Sequence, residues 1–281
     1  MPTARRDAHG RPEDSDEAVA GAVTGAATGP VAGAPRRRRV VVTTPADPPE
    51  AGDDVAPDVA PVPSSGPRPH AGPPTTLLLV RHGSTGWTSE RRICGGDEPG
   101  PALSEDGVEE VRRLAKVFRS GEFSGLPEPV AVVSSPQVRA RQTADLLADA
   151  LGLNVTEDPG WGELRFGEWH GLTYREIAAR WAAEHRAWQG STAAAPPGGE
   201  SLDQLVVRVD EACERLLARH PAQAVVVVSH IGPVRAAAAA ALDGAGGAFW
   251  RLRISPASLT VVRRWADGGA ELAAANLGGR L

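Results

Sequence analysis

The stretch Leu77-Leu78-Leu79-Val80-Arg81-His82-Gly83-Ser84-Thr85 decides how this chain is read. Four consecutive apolar residues suit a strand buried on both faces, and the polar residues after them leave that strand at its carboxyl end. Two further runs repeat the pattern. Residues 130–133 lead into Ser134-Ser135-Pro136, with Arg139 just inside the next helical segment, and residues 224–228 lead into Ser229-His230, with Gly232 opening another helix. In open α/β sheets ligands bind beyond the carboxyl ends of the strands. Two histidines, two arginines and several hydroxyls therefore collect at one edge. No metal-ligand spacing accompanies them, so their natural ligand is a phosphate dianion.

Outward from these runs the chain alternates strand and helix. Ser104 with Glu105 and Asp106 reads as an N-cap and acidic first turn, opening a helix that puts Val108, Val111, Leu114 and Phe118 on one face. Ser135-Pro136 reads as an N-cap and first-position proline of a helix ending near Leu151. Thr173 with Glu176, and Ser201 with Gln204, have capping-box spacing, and residues 196–199 between those helices form a loop. Residues 250–254, 258–265 and 271–276 read as further strands, the last two joined at Asp267-Gly268-Gly269 by a hairpin turn. The expected architecture is α/β, a three-layer α/β/α sandwich whose mainly parallel sheet carries an antiparallel edge.

Composition divides the 281 residues near Thr75. Residues 1–75 have no leucine and no Phe, Tyr or Trp, too little apolar surface to offset chain entropy, and are expected to be a disordered Ala/Pro/Gly/Arg-rich tail. All seven Trp follow, and residues 76–281 are long enough for one domain. A formal net charge of −5 gives no global case for a nucleic-acid partner, and the Arg36-Arg37-Arg38-Arg39 run reads as a solvated charge run in the tail. Lys116 is the single lysine, so any phosphate site must be built from guanidiniums. Two cysteines, Cys94 and Cys213, suggest neither a disulfide framework nor a zinc site. Arg5-Arg6 is not followed by an apolar stretch, and the apolar run 236–242 is too short to span a bilayer. A cytoplasmic protein without membrane association is expected.

The motifs resemble those of the histidine phosphatase superfamily, the phosphoglycerate mutase-like group. The block from Leu79 to Thr85 is similar to its signature, supported by Arg92, Gly95 and the segment Ala102-Leu103-Ser104-Glu105-Asp106-Gly107. Ser134-Ser135-Pro136 with Arg139, the run Glu163-Leu164-Arg165-Phe166-Gly167-Glu168-Trp169-His170-Gly171, and Ser229-His230 supply three more blocks in the family's order. The resemblance covers residues 76–281 and implies a phosphoglycerate mutase-like fold and a phosphomonoester hydrolase needing neither metal nor cofactor. It implies His82 as nucleophile, forming a phosphohistidine, and Arg81, Arg139 and His230 as ligands of the phosphate oxygens. Glu163 is implied as the proton donor and later base, with a carboxyl raised towards neutrality, and Arg92, Ser84 and Thr88 as substrate contacts. Thr88 stands where the family often has asparagine, and Ile231 where it often has glycine.

Two other readings are weighed. A mutase uses the same phosphohistidine, but mutases of the family carry a long insertion between the acid and the second histidine. Here only 67 residues separate Glu163 from His230, which resembles the compact phosphatases. The segment Pro197-Gly198-Gly199-Glu200-Ser201 looks most like the α-ribazole phosphatase and broad-specificity acid phosphatase branch. The third reading, a non-catalytic phosphate-recognition module, has no need of Glu163. The expected partner is a small phosphate ester, with no particular substrate or oligomeric state implied.

Overall fold

The structure, a computed structural model, describes residues 70–120, 125–242 and 246–279. The expected tail thus lies outside the described residues, apart from its last few. Of those, His70 stacks on Trp265 with ring centroids 4.3 Å apart, and Thr75 already belongs to the first strand.

Six strands form one sheet in the order β3-β2-β4-β1-β5-β6. They are β1 (Thr75–Arg81), β2 (Pro129–Ser134), β3 (Val155–Glu157), β4 (Ala224–Ser229), β5 (Leu259–Arg264) and β6 (Ala270–Leu277). The three apolar runs are β1, β2 and β4, mutually parallel with β4 in the middle. The last two strands pair antiparallel with their neighbours, giving the expected antiparallel edge. Alternate side chains point to opposite faces. Leu77, Leu79, Val225 and Val227 enter one apolar layer, and Leu78, Val80, Val226 and Val228 the other.

Helices cover both layers. On one side lie α2 (Glu105–Ser120) and α3 (Val138–Leu151), with Val111, Leu114, Ala140, Ala144 and Leu147 turned inward. On the other lie α6 (Leu202–Arg219) and α7 (Ile231–Ala240). Shorter helices α1 (Gly86–Ser89), α4 (Tyr174–Arg180), α5 (Ala182–Gly190) and α8 (Gly246–Arg251) sit in the connections. Among the described residues no helix is long and apolar enough to cross a membrane.

Local signals hold where their donors and acceptors stay at home. Thr173 and Ser201 form capping boxes with Glu176 and Gln204, and Ser104 Oγ accepts from Gly107 N–H at 3.1 Å. Two expectations are corrected. α3 starts at Val138 with Gln137 as N-cap, because the Ser135 hydroxyl is committed to Gln137 and His230 and does not cap a helix. Residues 250–254 are not a strand. α8 runs through Arg251, and the carbonyls of Leu252 and Ile254 accept from arginine side chains instead of a neighbouring strand. The three-residue strand β3 had no sequence signal of its own.

Candidate active site

Strand register performs the first step of assembly. Arg81 lies opposite Ser229, and Ser134 opposite Val228, so β1, β2 and β4 release their chains at nearly one level. His82 N–H then donates to Ser229 O and Ser135 N–H to Val228 O, both at 2.9 Å. His230, leaving the central strand, stands between them. Its ring centroid is 5.1 Å from that of His82, and its Nε2 is 2.7 Å from Ser135 Oγ.

The backbone after β1 is pressed against α2. A Cβ on Gly83 would stand 2.6 Å from Gly107 O, so glycine is needed for this approach. The close fit aims the Gly83 carbonyl at His82 Nδ1, 2.7 Å away. Arg139 Nε, on the first turn of α3, donates to His82 Nε2 at 3.2 Å. A nitrogen that accepts from a guanidinium carries no proton, so the proton sits on Nδ1 and the lone pair on Nε2. Burial, then the charges of Arg139 and Arg81, hold His82 well below its usual value, which keeps the ring neutral.

A second network sets His230. Gln137 Nε2 donates to Gly96 O at 3.1 Å, which turns Gln137 Oε1 towards Ser135. Ser135 therefore donates to Gln137 and accepts from His230 Nε2–H. His230 is fully buried, and burial followed by Arg139 lowers it well below its usual value. Three nitrogens of the cluster, Arg81 Nε, Arg139 Nη1 and His230 Nδ1, have no hydrogen-bond partner among the described residues. Burial pulls the Arg81 guanidinium down to about 10, with Glu163 opposing.

Both arginines are tethered by carbonyls: Arg81 Nη1 donates to Ile254 O at 2.6 Å and Arg139 Nη2 to Cys94 O at 3.2 Å. Carbonyl tethers fix position without neutralising charge, so the pocket keeps its positive field. Among the described residues no group of three His, Cys, Asp or Glu side chains is arranged to hold a metal ion.

Glu163 follows a 3-10 turn (Pro159–Trp161) and is 5% exposed. Its Oε1 accepts from Leu164 N–H at 2.9 Å and from Gly232 N–H at 3.1 Å. Desolvation raises its carboxyl above the usual carboxylate range, against the pull of those donors and of Arg139 and Arg81. Glu163 thus interacts electrostatically with both Arg139 and Arg81. Its loop is held by Arg208 of α6, which donates to the carbonyls of Gly160, Gly162 and Glu163 and to both oxygens of buried Glu200.

The structure thus brings together Arg81, His82, Arg139, Glu163 and His230. Three other expected contacts have different surroundings. Arg92 donates to Glu90 at 2.7 Å and to Gly171 O at 2.8 Å and lies 3.6 Å from Glu176, so its charge is spent on joining loops. The Thr88 hydroxyl caps α1 by accepting from Thr85 N–H at 3.2 Å. Ser84 is held by its backbone, its N–H to Glu110 and its carbonyl accepting from Ser104. Ile231 packs against the apolar layer.

A family model described as the histidine phosphatase superfamily (branch 1) matches residues 77–277. The chain belongs to the histidine phosphatase superfamily. It is 39% identical over 211 residues to the "Bifunctional protein Rv2228c" of Mycobacterium tuberculosis, an alignment covering 75% of this chain and 56% of that protein. The chain therefore spans little more than half the length of that relative. Among solved structures it is similar to a mycobacterial glucosyl-3-phosphoglycerate phosphatase complexed with VO3, at 29% identity and a TM-score of 0.64, covering 72% of this chain and 99% of that one. A putative α-ribazole-5'-P phosphatase of Escherichia coli is 25% identical with a TM-score of 0.64, covering 73% and 97%. These similarities put this histidine phosphatase chain on the phosphatase branch, with the phosphoglycerate mutase-like fold expected from its motifs.

Gln137 and Arg208 were not anticipated as parts of a histidine phosphatase site. Gln137 had no signal beyond its place after Ser135-Pro136. Arg208 lies eight residues after Glu200, two helical turns once Ser201 caps α6, a spacing that makes sense only when the helix is known to run beneath the Glu163 loop.

Proposed function

We propose that residues 76–281 form a metal-independent phosphatase that hydrolyses small phosphate monoesters through a phosphohistidine on His82. The observation that carries this is the unprotonated His82 Nε2 set between carbonyl-tethered arginines, with a buried acid in the same electrostatic field. His82 Nε2 attacks phosphorus and the ester P–O bond breaks. Arg81 and Arg139 hold the equatorial oxygens in bidentate fashion and stabilise the charge of the transition state. His230 Nδ1 takes up a proton as the dianion approaches and becomes a third donor. Glu163 gives its proton to the departing alkoxide, which leaves as the alcohol. The Glu163 carboxylate then takes a proton from water as the water oxygen attacks phosphorus. The N–P bond breaks, inorganic phosphate departs, and both groups return to their starting states.

Positive charge that a divalent ion supplies in other phosphatases comes here from guanidiniums, and the same guanidiniums would repel such an ion. Neighbours named as phosphatases of phosphorylated metabolites support hydrolysis of a compact ester. The test is a rapid quench after mixing with a phosphate ester in the presence of EDTA. An acid-labile phosphate on His82 is expected in the full-length protein, absent from His82→Ala, with free phosphate and alcohol as products. Turnover by His82→Ala, or its loss on adding EDTA, would overturn the proposal, and an isomerised ester would make the protein a mutase.

A further inference from the structure

One more cation, Arg235, is held by the same segment as Arg81 and has no part in the chemistry above. Arg235 follows Gly232 by three residues on α7, so the two share a helix face. Because Gly232 N–H donates to Glu163 Oε1, Arg235 lies one turn along the face that meets the acid. Its Nε donates to Leu252 O at 2.8 Å, two residues from the Ile254 carbonyl that tethers Arg81. One short segment after α8 therefore holds both guanidiniums. Arg235 Cζ sits 5.8 Å from the centroid of the Phe249 ring, which supports it from α8.

The way Arg235 is held matches the phosphate-site arginines and not the structural ones. Arg208, Arg215 and Arg264 are each paired with carboxylates. Among the described residues Arg235 has the Leu252 carbonyl as its hydrogen-bond partner and no carboxylate, so both Nη groups are left over. Burial lowers its pKa, with Tyr174 and Glu163 opposing. A half-buried cation without a counter-ion is costly to keep, and an anion arriving with the substrate offsets that cost.

Beside it runs an aromatic ridge. Trp188 joins Tyr174 at 6.4 Å to Trp250 at 4.9 Å, and Trp250 meets Phe249 at 5.2 Å. Tyr174 and Trp250 are 48% and 39% exposed, far more than core aromatics.

We propose that Arg235 is the specificity determinant for the leaving group, binding a carboxylate on the alcohol portion of the ester and making carboxylated phosphomonoesters the preferred substrates. This rests on the phosphatase reading above. With Nε occupied, the Nη pair presents the planar edge that two carboxylate oxygens match. A second phosphate group fits less well: a dianion would have one guanidinium to offset its two charges, whereas a carboxylate monoanion is matched.

The experiment compares kcat/KM for glycerate 3-phosphate, glycerol 3-phosphate and choline phosphate in the full-length protein, Arg235→Gln and Arg235→Glu. The first two esters share a carbon skeleton and differ by the carboxylate. The wild-type protein should favour glycerate 3-phosphate, and Arg235→Gln should cut its ratio to glycerol 3-phosphate by about tenfold to a hundredfold. Arg235→Glu should turn the preference towards choline phosphate, a gain that misfolding cannot imitate. An unchanged ratio in both variants overturns the proposal, as does a larger Arg235-dependent preference for glycerol 1,3-bisphosphate. Failure of the underlying reading looks different: no phosphohistidine and no turnover of any ester by the wild-type protein.

Discussion

The same physical cause, burial, acts on His82 and Glu163 in opposite directions. Burial lowers the imidazole and raises the carboxyl, the directions in which the proposed first step needs each group to move. On the proposed mechanism the His82 nucleophile should survive into mild acid, and the rate should fall on the alkaline side as Glu163 ionises. Glu163→Gln should lower kcat by about a hundredfold to ten-thousandfold and remove that alkaline limb, read from a pH–rate profile with an alkyl phosphate. An unchanged limb would assign the proton to another group. Most of these residues were legible in the chain because each follows an apolar run or a recognisable block. The hydroxyl of Thr88 and the guanidinium of Arg92, expected as substrate contacts, have short-range partners in this structure, Thr85 and Glu90.

Helix α6 does more than cover the sheet. Its Arg208, paired with Glu200, donates to three carbonyls of the loop bearing Glu163, those of Gly160, Gly162 and Glu163, so the placement of Glu163 depends on that ion pair. Arg208→Met strands the Glu200 carboxylate, 2% exposed, and should cost about 3–5 kcal/mol by urea denaturation. Adding Glu200→Gln should recover part of that stability and none of the activity, with kcat down about tenfold to a hundredfold at similar KM, since the loop stays unclamped. Recovery of both would make the pair purely structural. Capping boxes at α4 and α6 could be read residue by residue because their partners are three positions apart. Segment 250–254 could not. Its alternating pattern imitates a strand, and only the distant side chains of Arg81 and Arg235 reveal where its carbonyls go.

Gathering uncompensated cations and two neutral histidines at one sheet edge also shapes the stability of the whole domain. Both histidines have folded values well below the ordinary 6.5, so below that pH the unfolded chain binds more protons and stability falls as pH drops. Each contributes up to about 1.4 kcal/mol per pH unit in that window. Glu163 acts in the opposite sense. Its raised folded value means that a penalty present at higher pH is relieved as pH falls through it. Two protons against one leave a net loss of about 1.4 kcal/mol per pH unit or more below 6.5. Urea midpoints at pH 7.5 and 5.5 in phosphate-free buffer should show it, and His230→Gln should shrink the difference. A pH-independent midpoint would mean that the histidines are not buried neutral.

Chain order alone was enough for the layered α/β architecture, the antiparallel edge and the convergence of the polar strand ends, because burial periodicity and capping are local and each polar segment directly follows its apolar run. Which nitrogen of His82 is free, why Ser135 does not cap α3, and how the Glu163 loop meets Arg208 were settled by folding. Those facts depend on competition for hydrogen bonds and charge between residues up to 95 positions apart, as in Ser135 and His230, and no local pattern records who wins.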